Sequence, residues 1–332
     1  MHQNRGAINR RDFVKGALAG LALGAGAVAE QKDDGSGLPK RPLGRTGEMV
    51  PIIALGGWDI GNVEDKDKAV AIMHEAIDEG LTFFDNSWDY HEGGSEEIMG
   101  RALSSNGRRD KVFLMSKVCA RDYKGAQKHL DDSLRRLQTD YLDLWQFHGI
   151  QWDDDPDLIF DEENGAVRAA LEAREAGKVR YIGFTGHKHP RFHLAMLGRQ
   201  FEWDTVQMPL NVLDAHYRSF QKQVLPICRE RGISVIGMKA LAAQKGRIVR
   251  DLGIPADFAR RYSLSLPITS LVCGIQSREN LRQDLAIARD FKPLTEAEVV
   301  RVLAKAEAEA QDGQMEAYKV GNYGCDWHHN QA

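Results

Sequence analysis

The sequence predicts an α/β fold: a (β/α)8 TIM barrel with an N-terminal β-hairpin and a C-terminal helical extension. Three observations predict it. Eight short apolar runs alternate with amphipathic helical patterns in one unbroken order, the signature of a parallel sheet closed by crossover helices. The runs are continuously apolar rather than alternating, as strands covered on both faces should be. Of 332 residues, about 300 remain once a leader is set aside, enough for one such barrel at roughly 250 residues.

Leu38 to Pro51 holds Pro39, Pro42, Gly44 and Gly47 between two short extended pieces, a hairpin placed to close the barrel bottom. Ile52–Leu55 is the first barrel strand, followed by a helix over Asp65–Glu79 that stops at Gly80, a residue suited to the left-handed position after a helix. Thr82–Asp85 is the second strand, with helix Gly94–Leu103, and Val112–Lys117 the third, with helix Gly125–Leu137. Leu142–His148 is the fourth, with helix Ala166–Ala176 stopped by Gly177, and Tyr181–Phe184 the fifth, with helix Pro190–Leu197. Thr205–Met208 and helix Phe220–Arg231 make the sixth unit; Ser234–Met238, a long insertion and helix Ala256–Ser265 make the seventh. Ser270–Cys273 and helix Arg278–Arg289 make the eighth. Thr295 then caps a last helix with early acids at Glu296 and Glu298.

The ends of the chain read differently. Residues 1–29 carry Arg10-Arg11-Asp12-Phe13-Val14-Lys15, an apolar run from Gly16 to Val28, and Ala27-Val28-Ala29 as a small-x-small cleavage pattern. The run is too short for a comfortable membrane span, which needs about 20 apolar residues. The paired arginines, with Phe13 and Lys15, resemble a twin-arginine translocation signal; that implies the translocation machinery as a partner and a periplasmic or exported destination. Residues 30–37 read as a flexible linker, and residues 38–332 as one barrel domain with a tail. In the tail, Cys325, His328 and His329 read either as an ordinary surface segment or as metal ligands. Cys119, Cys228, Cys273 and Cys325 form no Cys-x-x-Cys pair, so no zinc or iron–sulfur centre is signalled. In an exported protein these thiols could oxidise, and their even count does not by itself show pairing. A net charge of -4 gives no reason to expect nucleic acid.

The candidate chemistry sits at strand ends. Asp85 ends the second strand with Tyr90 on the loop beyond; Lys117 ends the third and His148 the fourth. In a parallel barrel those ends share the face that carries catalysis. Singly, each has a plainer role: Asp85 as a helix cap, Lys117 as a solvated strand end, His148 as a core histidine. Jointly they make a general acid beside an ammonium, with Asp85 holding Lys117 charged and His148 free to hydrogen-bond a substrate oxygen. Lys117 is expected to pull the Tyr90 phenol below its usual pKa of about 10. No nucleophile elbow, zincin or phosphate-loop motif appears.

Phe84-Asp85-Asn86-Ser87-Trp88-Asp89-Tyr90, Ser95 to Leu103, Ser116-Lys117 and Tyr141 to His148 resemble the aldo-keto reductase family, and the likeness runs along nearly all of residues 38–332. The resemblance implies a tetrad of Asp85, Tyr90, Lys117 and His148, with Tyr90 as general acid/base. It implies hydride exchange between a nicotinamide dinucleotide and a small carbonyl or alcohol substrate, in a monomer or small homo-oligomer. Trp58, Asp85, Thr185, Gln207, Met238, Lys239, Gly274, Gln276, Ser277, Arg278 and Asn280 fall at the cofactor-lining positions. Thr185-Gly186-His187 stands where the family often has Ser-Asn, and Met238 where an aromatic often covers the nicotinamide. Gly274 to Asn280 opens a helix, a natural anion site. Arg278 there either reaches a 2′-phosphate, which favours NADP(H) over NAD(H), or faces outward. The alternative function is an exported cofactor-binding sensor that keeps the tetrad but turns over little.

Overall fold

The computed structural model describes residues 37–243 and 246–321. The predicted leader, nearly all of the linker, and Cys325, His328 and His329 lie outside the described residues. Eight parallel strands close into a barrel: β3 (Ile53–Gly56), β4 (Phe83–Asp85), β5 (Phe113–Val118), β6 (Leu142–Phe147), β7 (Val179–Thr185), β8 (Thr205–Pro209), β9 (Ser234–Met238) and β10 (Ser270–Cys273). Each pairs with its sequence neighbour, and β10 returns to β3 with Leu271 opposite Ile53. Before them β1 (Lys40–Pro42) and β2 (Met49–Pro51) form the antiparallel hairpin.

Period-two alternation explains how the barrel carries a site on top of a core. Leu43 and Val50 of the hairpin region pack with Ala54, Phe83, Met115, Leu144 and Ile236 into a small apolar cluster of their own. Two residues further along the same strands stand Asp85, Lys117 and Gln146, on the same inward face. The interior is therefore hydrocarbon at the hairpin end and polar at the other. The hairpin is tied down from within: Arg41 donates to the carbonyls of Ile268 (2.7 Å) and Leu264 (3.0 Å).

The helical pattern departs from expectation at four places. The sixth crossover is two helices, Phe220–Gln223 and Leu225–Glu230, because Pro226 has no N–H to continue the first. Short helices at Gly57–Gly61, Asp155–Ile159 and Arg247–Leu252 lie in loops after β3, β6 and β9; one turn or so is too short to leave a periodic pattern. Gly57 is required where it stands, since a Cβ there would lie 2.5 Å from the Asp85 carbonyl oxygen. The C-terminal extension runs through Glu296–Ala306 to a last turn at Ala317–Val320. That turn is bolted down by Lys319, fully buried, which donates to Asp214 Oδ1 (2.7 Å) and the Tyr217 carbonyl (2.8 Å) and pairs with Glu316 (2.8 Å). No helix among the described residues is long and apolar enough to cross a membrane.

Candidate active site

The strand ends bring the four predicted side chains together. Asp85 is the last residue of β4, Lys117 the penultimate residue of β5, and His148 follows β6 directly. Tyr90 opens a 3-10 turn, Tyr90–Gly93. Lys117 is 1 % exposed and donates to the Asp85 carboxylate, to the Asn86 carbonyl (2.6 Å) and to the Tyr90 hydroxyl (3.2 Å). Three acceptors for three ammonium protons leave none unsatisfied. Asp85 is thus an ion-pair partner and caps no helix. Burial pushes its carboxyl above the usual range, and the Lys117 ammonium pulls against that shift.

The phenol departs from expectation. Burial, then the carboxylates of Asp85, Asp89 and Asp59, push Tyr90 well above the ordinary phenol value. The net shift of the phenol is upward although Lys117 donates to its oxygen. Tyr90 accordingly keeps its proton through the neutral range. A phenol so placed is a ready proton donor to an alkoxide, a far stronger base.

Around this centre lie residues that sequence reasoning passed over. Asp89 Oδ1 is 3.1 Å from His148 Nδ1, and Ser87 Oγ is 2.5 Å from the same carboxylate oxygen. Both belong to the stretch already quoted around Tyr90; a second carboxylate next to the phenol was the available signal. Glu96, also within a quoted stretch, accepts from Ser116 Oγ (2.6 Å) and Arg136 Nη1 (3.3 Å) beneath the site. Asp89, Cys119 and His148 bring ligand-type atoms within 4.8 Å of one another. Cys119 is disulfide-bonded, however, and offers no thiolate; Cys228 and Cys273 are free thiols.

The predicted cofactor-lining residues divide. Thr185 ends β7 and Gln207 lies in β8, both buried; Gln207 Oε1 accepts from Gln146 Nε2 at 2.8 Å. Met238 ends β9, and Lys239 follows it with φ +61°. Burial, then Lys117, lowers the Lys239 ammonium, while Asp59 and Asp85 oppose the shift. Trp58, 54 % exposed, stacks on His91 (4.6 Å) and meets Tyr90 edge-on (5.4 Å), so it walls the phenol. Gly274 lies against Asp59, where a Cβ would sit 2.5 Å from Oδ2, and Gln276 donates to Asp59 Oδ1 (2.9 Å). Ser277 caps helix Arg278–Arg289 by accepting from Asn280 N. Arg278 faces outward and is paired with Glu75 at 2.8 Å. A cleft of about 300 Å³ lined by Arg41, Arg45 and Gly232 lies at the hairpin end and has no part in this constellation.

A closed parallel barrel with an acid, an ammonium, a phenol and an imidazole meeting at the C-terminal ends of three successive strands is the frame of a barrel enzyme. The Aldo/keto reductase family model matches residues 52–252, and the chain belongs to that family. It is 32% identical over 234 residues to the aldo-keto reductase YhdN of Bacillus subtilis (strain 168), covering 65% of this chain and 67% of that protein. It is also 32% identical over 212 residues to the methylglyoxal reductase YeaE of Escherichia coli (strain K12), covering 61% and 68%. Among solved structures, an aldo/keto reductase from Klebsiella pneumoniae in complex with NADP and acetate matches with a TM-score of 0.63 at 25% identity, covering 80% of this chain and 94% of that one. The holo form of an aldo-keto reductase from Bacillus halodurans matches in fold with a TM-score of 0.66 at 24% identity, covering 83% and 100%. The family makes the chain an oxidoreductase of carbonyl compounds that binds a nicotinamide cofactor.

Proposed function

We propose that the protein interconverts a small aldehyde or ketone and its alcohol with NADP(H), Tyr90 serving as general acid/base. The observation that carries this reading is the Lys117 hydrogen bond to Tyr90 OH at 3.2 Å, with Asp85 neutralising the same ammonium. The residues present fit a nicotinamide dinucleotide. Gln207 is buried in β8, Lys239 follows β9 directly, and the backbone N–H groups opening helix Arg278–Arg289 suit phosphate. The cofactor, when bound, supplies or takes the hydride. Tyr90 gives the proton to the forming alkoxide, and Lys117 holds a positive field beside that oxygen. Trp58 lies edge-on against the phenol ring on one side. The test is release of nucleotide on denaturing the purified protein, together with NADPH-dependent reduction of methylglyoxal. Bound nucleotide with no turnover of any carbonyl would favour the sensing alternative.

For cofactor choice, Arg278 is the residue proposed to read a 2′-phosphate, exchanging Glu75 for it. A charge-assisted contact is worth about 1.5–3 kcal/mol gross, and the Glu75 pair it replaces is half-exposed and weak. NADP(H) is therefore expected to bind more tightly than NAD(H). Arg278→Ala should weaken NADP(H) about tenfold or more and leave NAD(H) nearly unchanged. Equal losses for both, measured by fluorescence titration, would reject this role for Arg278.

We also propose that residues 1–29 act as a twin-arginine leader, that 30–37 link it to the barrel, and that the protein is exported folded with cofactor already bound. Ligand at about a hundred times its dissociation constant stabilises the folded form by about 2.7 kcal/mol, a large share of typical domain stability. Fused to a reporter that needs folded export, residues 1–30 should direct it out. Arg10→Lys with Arg11→Lys should stop that export. Export unaffected by the double change would rule out the signal.

A further inference from the structure

Three successive residues after Tyr90 stand in the left-handed region: His91 (φ +53°), Glu92 (φ +58°) and Gly93 (φ +93°). Only the glycine adopts it freely. The other two are strained, and such a run persists only where its surroundings hold it. Two contacts do so. On one side His91 Nε2 donates to the Trp58 carbonyl at 2.7 Å. From beneath comes Arg136, on helix Tyr123–Leu137. Its guanidinium lies against Gly93, where a Cβ would sit 2.3 Å from Cζ, and its Nη1 donates to the Trp88 carbonyl at 2.9 Å. Arg136 therefore grips the chain both before and after Tyr90. Glu96, fully buried, orients the guanidinium: Oε2 accepts from the same Nη1 at 3.3 Å, and Oε1 accepts from Ser116 Oγ at 2.6 Å. Burial pushes the Glu96 carboxyl up, and the hydrogen bonds from Ser116 and Arg136 pull against that shift. Ser116 precedes Lys117 on β5. The strand that carries the ammonium is thus joined to the loop that carries the phenol through Ser116, Glu96, Arg136 and the Trp88 carbonyl.

We propose that Arg136, oriented by Glu96, is a positioning residue that holds the left-handed run His91–Gly93 in place and so keeps the Tyr90 phenol on Lys117. The catalytic half of this statement rests on the carbonyl–alcohol reading above; the positional half rests on the contacts alone. Without the guanidinium, the Trp88 carbonyl and Glu96 lose a donor, and the face of Gly93 is left uncovered. His91 and Glu92 are then free to relax toward ordinary φ, and the phenol moves off the ammonium that reaches it at 3.2 Å. A displaced proton donor meets the substrate oxygen in fewer of the bound complexes, so turnover falls while nucleotide affinity is spared. A lysine at position 136 keeps a cation for Glu96 but has no planar group to lie against Gly93.

The test is ¹⁹F NMR of the full chain labelled with 3-fluorotyrosine, with Tyr90→Phe identifying the Tyr90 signal. Arg136→Met is combined with Glu96→Gln, so that no charge is left buried alone. In this double variant the Tyr90 signal should shift or split, while the signals of the other tyrosines stay in place and report an intact fold. Arg136→Lys, the milder change, should move the Tyr90 signal less. An unmoved Tyr90 signal in the double variant overturns the proposal. The catalytic half is read from NADPH-dependent reduction of methylglyoxal beside nucleotide titration. In the double variant kcat should fall at least about tenfold with the nucleotide Kd unchanged, and Arg136→Lys should recover part of the loss. A moved Tyr90 signal with unchanged kcat overturns the catalytic half. A wild-type chain that turns over no carbonyl would instead count against the proposed function, and the Tyr90 signal would still decide the positioning.

Discussion

Tyr90→Phe is expected to lower carbonyl reduction at least about a hundredfold while leaving nucleotide binding intact. In the proposed reaction the phenol protonates the substrate oxygen; it accepts a hydrogen bond from Lys117 at 3.2 Å and meets the edge of Trp58. Burial and the neighbouring carboxylates keep it protonated at neutral pH. The phenylalanine variant keeps the ring and its packing but has no proton to give. Steady-state kinetics beside nucleotide titration separates the two effects. Near-normal reduction by the variant would remove Tyr90 from the chemistry.

Lys117→Met should cost both activity and stability. The change leaves the Asp85 carboxylate, 3 % exposed, without its cation. Breaking a buried pair from one side typically costs about 3–5 kcal/mol. The Asn86 carbonyl also loses the donor that reaches it at 2.6 Å. Paired with Asp85→Leu, the same change removes both charges, and most of the stability should return while activity stays lost. Urea unfolding of the wild-type chain, the single variant and the double variant measures this. A single variant as stable as the wild type would mean that the pair does not act as a buried ionic unit.

The double variant also separates the role of the pair in folding from its role at Tyr90. If stability returns without activity, the ammonium matters to the phenol and its substrate, beyond neutralising Asp85. The structure gives Lys117 this double duty, because one buried ammonium donates to the carboxylate and to the phenol at once.

The sequence by itself determined the barrel and the meeting place of the tetrad. Continuous apolar runs and their crossover helices define eight parallel strands, and parallel strands put Asp85, Lys117 and His148 at one end by topology alone. The hairpin was legible from its prolines and glycines. The ionisation of Tyr90 was decided by tertiary structure. The sequence shows a lysine near the phenol but cannot show that Asp85 neutralises it, or that Asp89 and Asp59 add their fields. The outward turn of Arg278 onto Glu75 was likewise decided in three dimensions, since Glu75 comes from a helix 203 positions earlier, 278 minus 75. The Ser87–Asp89–His148 contact joins loops after β4 and β6 and exists only once the barrel has closed. Strand patterns reflect burial, a local and periodic property. Proton positions and charge states depend on which groups from distant segments come within about 3–6 Å, and only the closed fold sets those distances.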